Sequence, residues 1–176
     1  MRNYNTKCLT FSAILSAASV ALLYVGALFE VLDLSLAALA SFAVVFCVIE
    51  LGGPYPYLIW LCTSVLSLLL LPNKFIALVY LLFAGIYPIF KAKLDGMRPL
   101  ISWALKLSVF NLGLILVFLA ARFIFKLPEE STVLEVSFFA LANIAFVLYD
   151  IAMSKIILLY IVKIRKRLKI DKFLRD

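Results

Sequence analysis

The sequence predicts an all-α integral membrane protein, a bundle of six transmembrane helices with both termini on the cytoplasmic side. Three observations predict it. Hydrophobic residues make up 66% of the 176 positions and charged residues only 15%, whereas a soluble domain is roughly half apolar and a quarter charged. A chain this short has too much surface for its volume to hide that excess from water, so the excess must face lipid. The apolar residues also fall into six long runs, and the basic residues gather at alternate ends of those runs.

The runs define the helices in order: residues 9–29, 34–51, 55–71, 75–90, 100–125 and 132–162. Each is a helix because hydrocarbon offers no partner to backbone N–H and C=O groups, which must then pair within the segment. Pro54, Pro56, Pro72, Pro88, Pro99 and Pro128 all fall at or near the ends of runs, where a missing N–H does least harm. At about 20 residues per crossing, six helices leave no room for a separate soluble domain. Residues 1–176 therefore form a single transmembrane domain, ending in a basic cytoplasmic tail over 163–176. The third and fourth runs are short for a core of about 30 Å, so they meet thinned bilayer or stop beneath a cavity. Arg2 and Lys7 before FSAILSAASVALLYVGALF have the look of a signal peptide, but the run is long enough to span, and a retained first helix is expected.

Orientation follows from Lys and Arg. With the N-terminus inside, the cytoplasmic segments hold Arg2 and Lys7, then Lys91, Lys93 and Arg98, then seven more from Lys163 to Arg175. The outer side holds Lys74, Arg122 and Lys126. The tail KIRKRLKIDKFLRD serves either as an anchor on anionic headgroups or as an arm for a cytoplasmic partner.

Several chemistries are disfavoured. Histidine is absent, which removes the commonest general base and metal ligand, along with Ser-His proteolysis and His-based metalloprotease motifs. Cys8, Cys47 and Cys62 form no spaced cluster, and the last two read as small buried hydrophobes. Neither an enzyme, a metal site nor a resident cofactor is expected. The net charge of +7 flanks apolar runs rather than forming a nucleic-acid surface. Lipid-headgroup chemistry lacks both His and an acidic cluster.

Ionisable residues within spans are costly and need partners. Counting 1.5 Å per residue, Lys106 on the fifth helix and Asp150 on the sixth fall at similar depth. They are expected to share a polar network, either an ion pair locking two helices or a coupling or proton-relay pair. Asn111 and Asn143 match in depth in the same way, and an amide pair between them contributes about 0.6–2 kcal/mol. Glu50 and Lys155 lie near cytoplasmic helix ends, within snorkelling reach of the interface. At the outer mouth Glu30, Asp33, Asn73, Lys74, Arg122 and Lys126 gather among Phe29, Phe75, Tyr80, Phe123, Phe125 and Phe138. That list fits an aromatic-walled pocket or an interfacial aromatic belt.

On the first helix Ala13, Ala17 and Ala21 recur every four residues, with Ser12 and Ser16 flanking, and Ala37 and Ser41 repeat the theme on the second. Small residues at this spacing let another helix approach closely. That helix belongs either to the same bundle or to a partner. On these residues the chain resembles the substrate-binding S components of energy-coupling factor (ECF) transporters: similar size, six helices, both ends cytoplasmic, and an Ala-x-x-x-Ala motif on helix 1, here Ala13-Ala17 extended to Ala21.

The resemblance implies a subunit that captures a vitamin-like small molecule from outside. It implies docking through helix 1 onto a shared transmembrane component driven by cytoplasmic ATPases. No GxxxxGK[ST] sequence is present, as befits a subunit that borrows its ATPase. The implied pocket lies in the outer loops and helices 4 to 6, with Asn73, Lys74, Tyr80, Arg122 and Asn143 as candidate ligand contacts. Convergent Lys74 and Arg122 would favour an anionic ligand. No vitamin-specific signature is recognisable, and the missing His argues against the cobalt and nickel branches. A second reading is a non-catalytic scaffold of cell-envelope assembly, which needs partner surfaces but no cavity.

Overall fold

Gly52 and Gly53 take φ of 62° and 56°, the left-handed conformation that ends a helix without a Cβ clash. They break the chain between α2 (Asp33–Glu50) and α3 (Tyr55–Leu70), with Pro56 in the first turn of α3, where no N–H is needed. In this computed structural model, backbone is described for residues 2–29, 32–125 and 132–165, and side chains for 5–29, 32–120, 137–163 and 165. Among the described residues every regular element is a helix, with no strand. The remaining helices are α1 (Arg2–Leu28), α4 (Lys74–Val79), α5 (Tyr87–Leu94), α6 (Pro99–Phe125) and α7 (Thr132–Leu159).

Five stretches are long and apolar enough to cross a membrane: Asn5–Leu28, Asp33–Glu50, Lys74–Leu94, Pro99–Ala120 and Ser137–Lys163. Helix α3 is a sixth, shorter apolar helix of 16 residues. Leucine and isoleucine side chains stand exposed on every long helix, among them Ile14, Leu39, Leu112, Leu141 and Leu158. Apolar surface on that scale would drive association in water but is at rest in hydrocarbon.

The fourth span departs from the expected 75–90. It runs from Lys74 to Leu94 because α4 and α5 are joined by a π turn, Tyr80–Ala84. Gly85 N–H reaches back to the Tyr80 carbonyl at 2.8 Å, and the indole of Trp60 on α3 donates to the Leu81 carbonyl at 2.9 Å. Trp60 thus supplies a side-chain donor where the π turn disturbs the ladder. At its N-terminal end, Asn73 caps α4 by accepting from Phe75 N–H at 3.0 Å. Lys74 caps the end of α3 through the Leu71 carbonyl at 2.7 Å.

This span is the most enclosed, with 61% of its most apolar window buried against 17% for α7. Helix α1 packs along α2 and α3, and the fourth span fits against α2 and α6. One core cluster joins Leu23, Ala37, Ala40, Ile76 and Tyr80. A second joins Val45, Tyr87, Phe110, Phe146 and Met153.

At Gly85 a Cβ would lie 2.7 Å from both Trp60 Cδ1 and Tyr80 Cε1. Gly85→Val is expected to destabilise the protein by about 1–3 kcal/mol through overpacking. A lowered midpoint in a detergent thermal-unfolding assay checks it.

Candidate functional site: a buried charge network at one end of the bundle

Tyr87, Lys91 and Asp95 are spaced by four, so they line one face of α5 and its end. That face meets Lys106 of α6 and Asp150 of α7. The Lys91 ammonium lies 2.5 Å from Asp150 Oδ1 and 3.4 Å from Asp95 Oδ2. Lys106 contacts Asp150 Oδ2 at 3.2 Å and also pairs with Asp95 Oδ1. Each lysine therefore touches both aspartates, and the four groups close a ring of alternating sign.

Further donors complete it. Tyr87 OH donates to Asp150 Oδ1 at 2.5 Å, and Lys91 donates to Ser154 Oγ at 2.8 Å. Lys106 also lies 5.5 Å from the Trp103 ring centroid, within cation–π range. Lys91, Lys106 and Asp150 are buried, whereas the Asp95 side chain is 44% exposed. The ring is neutral, as charges held away from water must be. Above it Phe83, Tyr87, Phe110, Phe146 and Tyr149 pack together, with Phe110 stacked on Phe146 at 4.4 Å.

The structure brings Lys106 and Asp150 together, and Asn111 and Asn143 likewise. The two amides exchange hydrogen bonds of 3.0 and 3.1 Å. Each also donates to a carbonyl one turn back, Leu107 and Phe139 respectively. Asn143 is thus engaged with α6.

The other candidate contacts are occupied separately. Asn73 caps α4 and donates to Asp33 Oδ2 at 3.3 Å, and Lys74 caps α3. Tyr80 is fully buried, with Thr63 and Ser19 beside its hydroxyl. The Arg122 side chain lies outside the described residues, as do Glu30, Lys126 and the tail from 166.

On α1 the alanines and serines part company. Ala13, Ala17 and Ala21 are exposed, whereas Ser12 and Ser16, expected to flank them, turn inward. Ser12 donates back to the Cys8 carbonyl at 2.8 Å. Ala37 and Ser41 of α2 are buried, and Ser41 shares a 2.7 Å hydrogen bond with Tyr149 OH. Cys47 is buried, but Cys62 faces outward.

Sequence reasoning missed Tyr87, Lys91, Asp95 and Ser154. By sequence Lys91 reads as a cytoplasmic flank, yet it lies within the fourth span. The signal was present in the Tyr87–Lys91–Asp95 spacing. Glu50 also differs from expectation: its carboxylate is fully buried rather than snorkelling. It accepts from Tyr160 OH at 2.9 Å and pairs with Arg165 Nε at 3.2 Å.

No family model, no curated protein and no solved structure matches this chain. Fold and site together define a class, a multi-pass helical membrane protein with a neutral ion network buried between α5, α6 and α7.

Asp150→Asn leaves two buried lysines facing Asp95 alone, and removing one partner of a buried ion set costs about 3–5 kcal/mol. The double change Asp150→Asn with Lys106→Met restores neutrality and is expected to recover part of that loss. Thermal midpoints of both variants in the same detergent check the ordering.

Proposed function

We propose that the chain crosses the bilayer six times with both termini in the cytoplasm. In this reading it is a membrane-embedded, non-catalytic substrate-capture subunit of an ECF-type uptake transporter. It docks through α1 onto a transmembrane component driven by cytoplasmic ATPases, and its cargo is a vitamin-like small molecule. The observation that carries the docking is the outward alanine stripe. Ala13, Ala17 and Ala21 are exposed on a helix whose other face is packed against α2 and α3. Within its own bundle α1 has no use for those small residues, but a partner helix could approach closely there.

The six-fold crossing counts α3 as a span. At 1.5 Å per residue it covers roughly 24 Å, which a thinned bilayer accommodates. The cytoplasmic assignment of the termini rests on the distribution of Lys and Arg. The resemblance of size, helix count and motif supports the transporter reading.

One observation favours the scaffold reading instead. The space between α5, α6 and α7 at the level of Phe83, Phe110 and Phe146 is filled by stacked rings. A scaffold of cell-envelope assembly needs no cavity there. In the transporter reading, cargo binds on the outer side of this aromatic layer.

Co-purification followed by mass spectrometry of bound small molecules tests the two. Recovery of a shared membrane component, ATPases and a ligand supports capture, whereas envelope-assembly partners without ligand support the scaffold. Overpacking costs about 1–3 kcal/mol, so Ala17→Leu is expected to lower partner recovery by about tenfold. An intact complex in that variant would show that α1 is not the docking face.

A further inference from the structure

The charge ring has one member unlike the others. Lys91, Lys106 and Asp150 sit within spans and are buried, but Asp95 lies just past the end of α5, in the turn that continues through Gly96 and Met97. It is 44% exposed, yet it contacts both ammonium groups. Without it, two buried cations would face one carboxylate, leaving a single net positive charge in a site largely closed to water. Such a charge favours an incoming anion. The remaining partners leave room for one: Lys106 would keep only Asp150 and the face of Trp103.

Beside Lys91 and Asp95 a cleft of about 120 Å³ opens between α2, α5 and α7. Its lining is apolar, with Val45, Ile49, Pro88, Met153 and Ile157, apart from Lys91 and Asp95. The cleft therefore offers both chemistries an amphiphile needs, charged groups and an apolar lining.

We propose that Asp95 is the chain's own occupant of an anion site, which it vacates for a carboxylate or phosphate carried on an apolar body. The incoming anion takes the place of the Asp95 carboxylate on Lys91 and Lys106, and its apolar part lies along Val45, Ile49 and Met153. Asp150 stays in place, held by Tyr87, so the site selects one negative charge and keeps the ring neutral. Asp95 acts as a built-in competitor, scaling apparent affinity down to the fraction of time it leaves the site vacant. The inference stands apart from the transporter and scaffold readings, since it rests only on the ring and the cleft. The anion has two sources, a free short-chain carboxylate or an anionic lipid headgroup.

The experiment uses the full chain in neutral detergent, comparing wild type with Asp95→Asn. Sodium hexanoate is titrated against sodium chloride of equal ionic strength, with thermal stabilisation as the readout. Phosphatidylglycerol is compared with phosphatidylcholine by native mass spectrometry. Removing the competitor is expected to lower the half-saturating concentration of one anion by at least about tenfold, if Asp95 leaves the site a tenth of the time or less. Adding Lys106→Gln to Asp95→Asn is expected to abolish that gain.

Saturation by hexanoate alone identifies a free carboxylate, and retention of phosphatidylglycerol alone identifies a lipid headgroup. Equal response of wild type and Asp95→Asn, or no saturation by either anion, overturns the proposal. Should Asp95→Asn fail to fold, hydrogen exchange on wild type decides. The Asp95 and Met97 amides, bonded to the Lys91 and Leu94 carbonyls at 2.9 and 3.0 Å, exchange faster under saturating anion if Asp95 swings out. Unchanged exchange there refutes it.

Discussion

Asp150 lies on the helix with the least protein around it. The most apolar window of α7 is only 17% buried, yet the Asp150 carboxylate is almost wholly enclosed. In hydrocarbon, apolar contact between helices gives little net drive, because lipid tails are as apolar as leucine. What distinguishes one placement of α7 from another is whether its polar groups find partners. Asn143, Asp150 and Ser154 follow one another at intervals of seven and four, a single stripe down the helix. Each meets a partner on α5 or α6: Asn111, the two lysines, and Lys91 again. A slip of one residue would rotate the stripe by about 100° and leave carboxylate and amide facing lipid.

The same constraint explains the shape of the fourth span. Lys91 must reach Asp150 from a span that also packs its N-terminal half, through Ile76, Ala77 and Tyr80, against α1 and α2. A π turn between those halves shifts the register of the lower one, and Pro88 opens α5 without losing a hydrogen bond. Trp60 on α3 contributes a donor at the turn. The π turn, the tryptophan and Gly85 therefore form one local device. Gly85 is small because the Trp60 and Tyr80 rings come within 3 Å of where its Cβ would be.

Much of this was legible in the sequence because lipid makes few rules and enforces them strictly. Long apolar runs become helices, and Lys106 with Asp150 and Asn111 with Asn143 were matched by depth alone. What stayed hidden has a common cause. A basic residue near a helix end reads equally as an interfacial flank or as a buried partner, and Lys91 was the latter. Glu50 was misread for the same reason, since its neighbours Tyr160 and Arg165 are more than a hundred positions away. The π turn leaves no mark in hydropathy, because a helix with one extra residue in a turn is as apolar as one without. The alanine stripe was visible, but whether it faced protein or lipid depended on which way α1 rolled.

That roll and the charge ring bear on each other through α2. Helix α1 turns Ser12, Ser16 and Ser19 inward, and Ser19 reaches the Ala40 carbonyl of α2 at 3.4 Å. Helix α2 in turn holds α7 through Ser41 to Tyr149, and the π segment that continues it, Tyr160–Ile164, through Glu50 to Tyr160. Tyr149 precedes Asp150 directly, so the α2 contact fixes the residue next to the buried carboxylate. A partner bound on the alanine face of α1 would therefore press on a helix bonded to α2, and α2 is bonded to the segment carrying the ring. The polar groups that set the register of α7 thereby connect the exposed stripe to the buried ion network.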